Sequence, residues 1–274
     1  MKLLIALFSC SKDIAKGFNQ AIRDTWAKDI PTDSDVDLKF LVGTGRPAPL
    51  EEEDPAWQAD YAKYSKMKPW MALSPPPLTH RLEPDELSLP IPDGYMYLTH
   101  KVKTAFGWAL ANDYDYVFRG DTDTFVHVPR LLKSGFENYD YMGRGLGDPK
   151  VSGYCYGGPG YWVSQKAMEI LVNCPITIVA DDVWVGEMLR RNGILFHTDH
   201  RFCNHWRQAP KEELITCHLS VKSGSYTSKL MYDAYSHPLP NAPFDPRGHE
   251  GYIEVIIGGR HIWVPRPKAK IATK

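Results

Sequence analysis

The first apolar run, Leu3 to Cys10, is short, unbroken and closed by polar residues, which reads as a buried strand. Phe18 to Ala27 reads as a helix, and "LKFLVG", Leu38 to Gly43, as a second strand ending on glycine. Strand, helix, strand in that order predicts an α/β fold built on a parallel sheet. Thr99 to Ala111 sets Val102, Ala105, Phe106 and Ala109 at helical spacing, and Tyr116 to Phe118 is the strand after it. Ser164 is placed to cap a helix reaching Asn173, and Asp182 to Arg191 is a helix stopped by Asn192 and Gly193. "ILFHT" and "ELITCHLS" read as strands, and Ser225 to Tyr235 as the last long helix. "YIEVIIGGRHIWV" reads as a hairpin around Gly258 and Gly259.

Residues 45–94 interrupt this pattern. "EEEDPAW" is an acidic helix start, and "MALSPPPLTHRLEPDELSLPIPDG" is too rich in proline to hold a long regular element. We read the stretch as an ordered surface excursion within one domain. Residues 1–240 are then a single α/β domain with an acidic, proline-rich insertion at 45–94, and 241–274 a C-terminal hairpin and basic tail.

Composition adds bounds. Of 274 residues, 43% are hydrophobic and 24% charged, the balance of a globular chain with a sizeable core. A net charge of -1 excludes a global field that would attract nucleic acid. The end of the chain is different: Arg260, His261, Arg266, Lys268, Lys270 and Lys274 follow Glu254 with no further acid, as a solubilising tail or a phosphate-contacting arm would. Five cysteines without a CxxC pair predict reduced thiols in a cytoplasm-like compartment. The opening "MKLLIALFSCSKD" has too short an apolar run for a signal peptide. No run approaches the roughly 18 apolar residues of a membrane helix, so the expectation is a soluble, cytoplasmic protein without a membrane partner.

The candidate chemistry lies in "YVFRGDTDTFVHV", Tyr116 to Val128, where an apolar strand runs into Asp121 and Asp123. A bare DxD is weak evidence. Asp33, Asp35 and Asp37, and again Asp113 with Asp115, repeat the spacing in turn-like stretches where Asp is favoured locally. Asp121 and Asp123 instead follow a strand, at the carboxyl edge where open α/β sheets bind ligands. Two adjacent carboxylates repel unless a cation compensates, and a hard divalent metal carrying a phosphate does so. "DTDT" fits two arrangements. One is the DxDxT motif of haloacid-dehalogenase phosphatases, with Asp121 as nucleophile, Asp123 as acid/base and "VADDVW" as the later acidic motif. The other is the metal motif of nucleotide-sugar glycosyltransferases of the GT-A fold. The phosphatase motif belongs on the first strand of its domain, whereas more than 110 residues precede it here.

Blocks on both sides resemble one family. "NQAIRDTW" resembles the "RRxAIRxTW" block of β-1,3-galactosyltransferases, β-1,3-N-acetylglucosaminyltransferases and Fringe, and "FLVG" their second strand. "YMYLTHKVKTAFGW" resembles "YxNLTLKTL", and "YDYVFRGDTDTFVHVPRLL" resembles "YDYVLKTDDDVFVNLPRLL". "YCYGGPGYWVSQKAMEIL" and "ADDVWVGEMLRRNGI" resemble "YCSGGGYVLSRDLAxLL" and "EDVYVGLCLxKLGI". The blocks keep family order over roughly residues 3–220. The resemblance implies a GT-A-type, Rossmann-like mixed sheet flanked by helices, and an inverting transfer of a hexose or N-acetylhexosamine from a UDP-sugar. It also implies a manganese or magnesium ion. The family's three-Asp run is Asp-Thr-Asp here, and the Glu before its catalytic Asp is Asp181.

By the same resemblance Asp123 is the principal metal ligand, Asp121 its partner through metal or ribose, and Asp182 the catalytic base. Two acids at a helix start are equally what helix capping alone would place there. A late histidine is expected to complete the metal site; of His197, His200, His205 and His218, the last is preferred because it ends an apolar strand. Arg23 and Lys103 match basic family positions and would hold donor phosphate, although Arg23 could instead pair with Asp24 or Asp115. Gly157, Gly158 and Trp162 would shape the donor and acceptor pocket, with Asp181 and Trp184 beside the acceptor; Trp162 could equally be core. The acceptor is either a glycan or small molecule, or 5-hydroxymethylpyrimidine in phage DNA, which the basic tail and "HRFCNHWRQ" would suit. A non-catalytic sugar-binding protein of the same fold is the third reading.

Overall fold

The structure is a computed structural model and describes residues 1–46, 50–73, 78–79, 81–204, 213–220 and 226–236, with the backbone of 252–257 and 260–265. β1 (Leu3–Ser9) is buried at every position. Leu4, Ala6 and Phe8 enter one core and Leu3, Ile5 and Leu7 the other, the period of two that a strand imposes. A strand covered on both faces must be apolar throughout, which is why the sequence showed a continuous run. Next come α1 (Ser11–Ala15) and α2 (Phe18–Asp24). α2 ends earlier than expected: the Thr25 hydroxyl donates back to the Ala21 carbonyl at 2.6 Å, and Trp26–Asp29 tighten into a 3₁₀ turn.

β2 (Val36–Gly43) pairs parallel with β1. α3 (Pro55–Met67) starts where the acidic run ends, with the Asp54 carboxylate accepting from the Ala56 N–H and Pro55 in the first turn. The excursion then returns a strand to the sheet, which the sequence reading had not assigned. β3 (Glu86–Leu89) pairs parallel with β2 at the edge, a position that tolerates flanking prolines. α4 (Leu98–Ala111) leads to β4 (Tyr116–Asp121), which lies parallel to β1 on the side away from β2. β4 is longer than expected, so Arg119, Gly120 and Asp121 belong to the strand itself.

β5 (Thr124–Val126), α5 (Val128–Leu131), β6 (Tyr141–Gly143), β7 (Gly145–Leu146), β8 (Tyr154–Cys155) and β9 (Tyr161–Ser164) follow. α6 (Gln165–Asn173) is capped as expected, the Ala167 N–H donating to Ser164 Oγ. α7 (Asp181–Arg191), β10 (His197–Thr198), β11 (Phe202–Cys203), β12 (Thr216–His218) and α8 (Ser228–Ser236) complete the described domain. "ILFHT" and "ELITCHLS" thus contribute only the short β10 and β12. β13 (Tyr252–Ile257) and β14 (Arg260–Pro265) pair antiparallel, as expected of a hairpin. Gly258, Gly259 and the tail from Arg266 onward lie outside the described residues.

The main sheet has the order β10-β6-β9-β4-β1-β2-β3. β9 runs antiparallel to both β4 and β6, which makes the sheet mixed. α4, α6 and α7 cover one face with residues such as Phe106, Met168 and Trp184, and α2 and α8 lie in the core of the other. A small sheet, β11-β12-β5, adjoins that second face. This is the mixed α/β sheet flanked by helices that the sequence predicts. All five cysteines are free thiols. Among the described residues no helix is long and apolar enough to cross a membrane.

Candidate active site

β1 and β4 end side by side, with Phe8 opposite Asp121. The two DxD-like decoys are explained locally. Asp113 takes a left-handed turn conformation (φ 59°), Asp115 accepts from the Lys2 backbone, and Asp37 accepts from the Tyr114 hydroxyl. Asp121 and Asp123 instead sit at the sheet's carboxyl edge.

The residue that organises this edge is one the sequence reading passed over. Arg119, 1% exposed, lies with Nη1 2.8 Å from Asp121 Oδ1 and Nη2 2.9 Å from Asp181 Oδ2. Its Nη1 also donates to the Gly157 carbonyl at 2.8 Å. Burial alone would lower the basicity of the guanidinium, but Asp121 and Asp181 outweigh it and hold it charged. Burial pushes the Asp121 and Asp181 carboxyls up, with Arg119 opposing the rise in both. A Cβ at Gly157 would stand 2.9 Å from Arg119 Nη1, so a larger residue here would push the guanidinium from its place. The available signal was a lone arginine interrupting an apolar strand just before two acids.

Asp123 meets His218 at 3.0 Å between Oδ2 and Nε2. The small sheet brings them together. β12 pairs antiparallel with β5 so that His218 faces Thr124, and the Leu219 N–H donates to the Asp123 carbonyl. Burial works against protonation of His218, but the Asp123 hydrogen bond and the charges of Asp123 and Asp121 raise it overall. Gly158 packs flat against this ring, where a Cβ would come within 2.9 Å. Asp13 of α1, also unforeseen, accepts from the Thr122 hydroxyl at 3.1 Å and is pushed up by burial.

Asp181 and Asp182 open α7. Asp182 accepts from the Gly157 N–H at 3.2 Å and from the Val183 N–H at 2.9 Å. Those donors and Arg119 favour its anion, yet burial and then the Asp181 charge push its carboxyl up to about 6.

Other expected residues fall elsewhere. Arg23 is committed at the β3 edge, bidentate to Asp85 and 2.8 Å from Glu86 Oε1, rather than to Asp24 or Asp115. Lys103 points from α4 to the Cys174 carbonyl, on the face that packs on α6. Helix geometry sends Lys101, two residues earlier, the other way. Its Nζ is 2.7 Å from the Ser9 carbonyl and 2.6 Å from Asp93 Oδ1, at the end of β1. Trp162 and Trp184 are fully buried, the first stacked on Phe136 and the second donating to the Pro175 carbonyl. Both are core residues and offer no surface to an acceptor. His197 stacks on Tyr139 and His200 contacts Arg144; His205 lies outside the described residues.

The implied divalent ion can be tested against these donors. Asp123 Oδ2 and His218 Nε2 meet in a 3.0 Å hydrogen bond, a hard oxygen and an imidazole nitrogen that a divalent ion would take in place of the shared proton. Among the described residues no group of three or more His, Cys, Asp or Glu is arranged around a common ion position. An ion here would have two protein donors, with water and a substrate phosphate completing its shell.

No protein-family model matches the chain, and no curated protein matches it in sequence. Solved structures align with it in fold. A mannosyltransferase from Pyrobaculum calidifontis in complex with GDP-Man and Mn2+ aligns at 13% identity and a TM-score of 0.40, over 72% of this chain and 54% of its own. The apo-form glycosyltransferase GlyE of Streptococcus pneumoniae aligns at 10% identity and a TM-score of 0.43, over 86% of this chain and 60% of its own. The chain thus spans little more than half the length of these neighbours.

Proposed function

We propose that this protein is a metal-dependent, inverting glycosyltransferase that moves a hexose or N-acetylhexosamine from a UDP-sugar to an acceptor hydroxyl. The observation that carries the reading is the convergence, at one sheet edge, of the Asp123–His218 pair and an Asp182 carboxyl raised to about 6. A carboxyl in that range is a base matched to neutral pH.

In this reading Asp123 and His218 would hold a manganese or magnesium ion, with Asp121 beside them. The bound ion would neutralise the charge that develops on the departing diphosphate. Asp182 takes the proton of the acceptor hydroxyl as that oxygen bonds to the anomeric carbon. The anomeric carbon–oxygen bond to the diphosphate breaks, its electron pair leaves with UDP, and the sugar inverts. Gly157 orients Asp182 through its N–H and Arg119 through its carbonyl. The phosphatase reading is less supported, because it needs Asp121 as a free nucleophile and Arg119 pairs with it at 2.8 Å.

The test is incubation with manganese and a panel of UDP- and GDP-sugars, scoring nucleotide release. Release of UDP that chelation abolishes is the expected result. Turnover of a generic phosphate ester without any nucleotide-sugar turnover would instead select the phosphatase.

A further inference from the structure

The tryptophans expected at the acceptor are buried, but a different set of rings surrounds Asp182. Each is positioned there by backbone contacts. Tyr154 packs its Cβ and Cα against Gly186, which is one helical turn from Asp182 on the same face of α7. Tyr156 immediately precedes Gly157, the residue whose N–H holds the Asp182 carboxylate. Tyr154 and Tyr156 meet edge to face at 5.8 Å.

Across from them, α3 is tied to the entry of α7 by the Val179 N–H donating to Asp60 at 2.8 Å. Tyr64 stands one turn along α3 from Asp60 and so faces the same way. The Thr99 hydroxyl donates to the Val179 carbonyl, bringing the start of α4 and the preceding Tyr95 to the same place. Tyr95 is 38% exposed and lies 6.1 Å from the ring of Trp70, itself 49% exposed. Large aromatic rings left open to solvent beside a buried carboxyl are groups in want of a partner.

Charge selects the partner. The field at Tyr64, Tyr95 and Tyr154 comes from Asp60, Asp121, Asp181 and Asp182, and raises all three phenols beyond the effect of burial. Arg119 is the cation nearest the acids, and it is buried between two of them. Arg144, which acts on Tyr156, is buried too and contacts His200. Lys63 and Lys66 lie about 100° and 160° around α3 from Tyr64 and leave this face; Lys68 and Lys150 are exposed near Trp70 and Tyr154 in sequence, but among the described residues no cation stands over any of these rings. The described part of the basic stretch named for DNA is likewise engaged, with Arg201 bound to Asp199. A polyphosphate chain needs exposed cations along its path, whereas an uncharged sugar needs a flat apolar face and a few polar groups.

We propose that Tyr64, Trp70, Tyr95, Tyr154 and Tyr156 form the acceptor platform and that the acceptor is a neutral pyranose of a glycan or glycoside. This rests on the glycosyltransferase reading for its product, but the platform binds sugar whether or not transfer occurs.

The experiment is saturation-transfer NMR on the full chain with UDP present. The probes are methyl pyranosides of glucose, galactose, mannose and N-acetylglucosamine, and a duplex containing 5-hydroxymethylcytosine. At least one pyranoside should bind, and Trp70→Ala and Tyr95→Ala should each weaken it by about tenfold, as loss of a central aromatic contact does. Tyr95→Phe keeps the ring and should bind as wild type. Trp70 is half exposed and Tyr95 somewhat less, so either alanine variant should stay folded at the assay temperature, and circular dichroism there separates lost binding from lost fold. Binding of the duplex in preference to every pyranoside, no pyranoside binding, or unchanged affinity in both alanine variants would each overturn the proposal. Calorimetry with UDP-sugars on the wild type runs separately. If no donor binds while ring-dependent sugar binding persists, the transferase reading fails and the platform stands.

Discussion

Arg119 Nη2 lies 2.9 Å from Asp181 Oδ2, joining the end of β4 to the first residue of α7. Its other arm reaches Asp121 at 2.8 Å, so one buried cation links the DxD edge to the helix that carries Asp182. Removing it leaves the buried Asp181 and the partly exposed Asp121 without their countercharge. Arg119→Met should destabilise the fold by about 3–5 kcal/mol, the usual result of breaking a buried ion pair from one side. Arg119→Lys should recover part of this, because a point charge cannot span both carboxylates. Thermal or urea unfolding measures both; equal stability of Arg119→Met and wild type would refute the linkage.

Asp182→Asn should retain donor binding and lower transfer by about 10²–10⁴-fold, the range a positioned base contributes. Calorimetry and single-turnover assays separate the two. Transfer at the wild-type rate would mean that another group takes the proton.

The pH dependence has a definite sign. Asp182 is raised to about 6 from an ordinary 3.8, so the folded protein holds its proton where the unfolded chain has released it. This group's contribution to stability therefore falls as pH rises from about 4 to 6, while the fraction of active base grows. The kcat/KM profile should show an acidic limb near pH 6 that disappears in Asp182→Asn. A limb that stays in the variant would assign it elsewhere.

Asp123→Ala and His218→Ala should each weaken manganese binding by about 100-fold, at least the upper effect of losing an outer partner. Spectroscopic titration of manganese is the check. Asp121 is already engaged by Arg119, so Asp121→Asn should weaken the metal less than either.

Lys101 and Lys103 make a contrast within one helix. Lys101→Met leaves Asp93 without its buried cation and should cost about 3–5 kcal/mol. Lys103→Ala removes a bond to the Cys174 carbonyl from a partly exposed position and should change stability by about 0.5 kcal/mol or less. Chemical denaturation of the two variants measures the difference.

These contrasts mark what the sequence by itself determined. Periodicity is a local property, so β1, β2, α4, α6 and α7 were legible from apolar spacing and caps, to within a few residues. The pairing of an apolar strand with Asp121 and Asp123 was legible for the same reason, as was the place of His218 at the end of a strand. Residues 45–94 concealed β3, because an edge strand of four residues leaves little periodic signal among prolines. Side-chain direction was decided only by tertiary structure. A turn of about 200° along α4 sends Lys101 to Ser9 and Asp93 at the end of β1 and Lys103 to the Cys174 carbonyl, and register alone sets His218 against Thr124 beside Asp123. Burial, likewise, depends on what packs from distant parts of the chain. It put Trp162 and Trp184 in the core, left Trp70 and Tyr95 partly exposed, and placed Arg119 between two acids 60 residues apart.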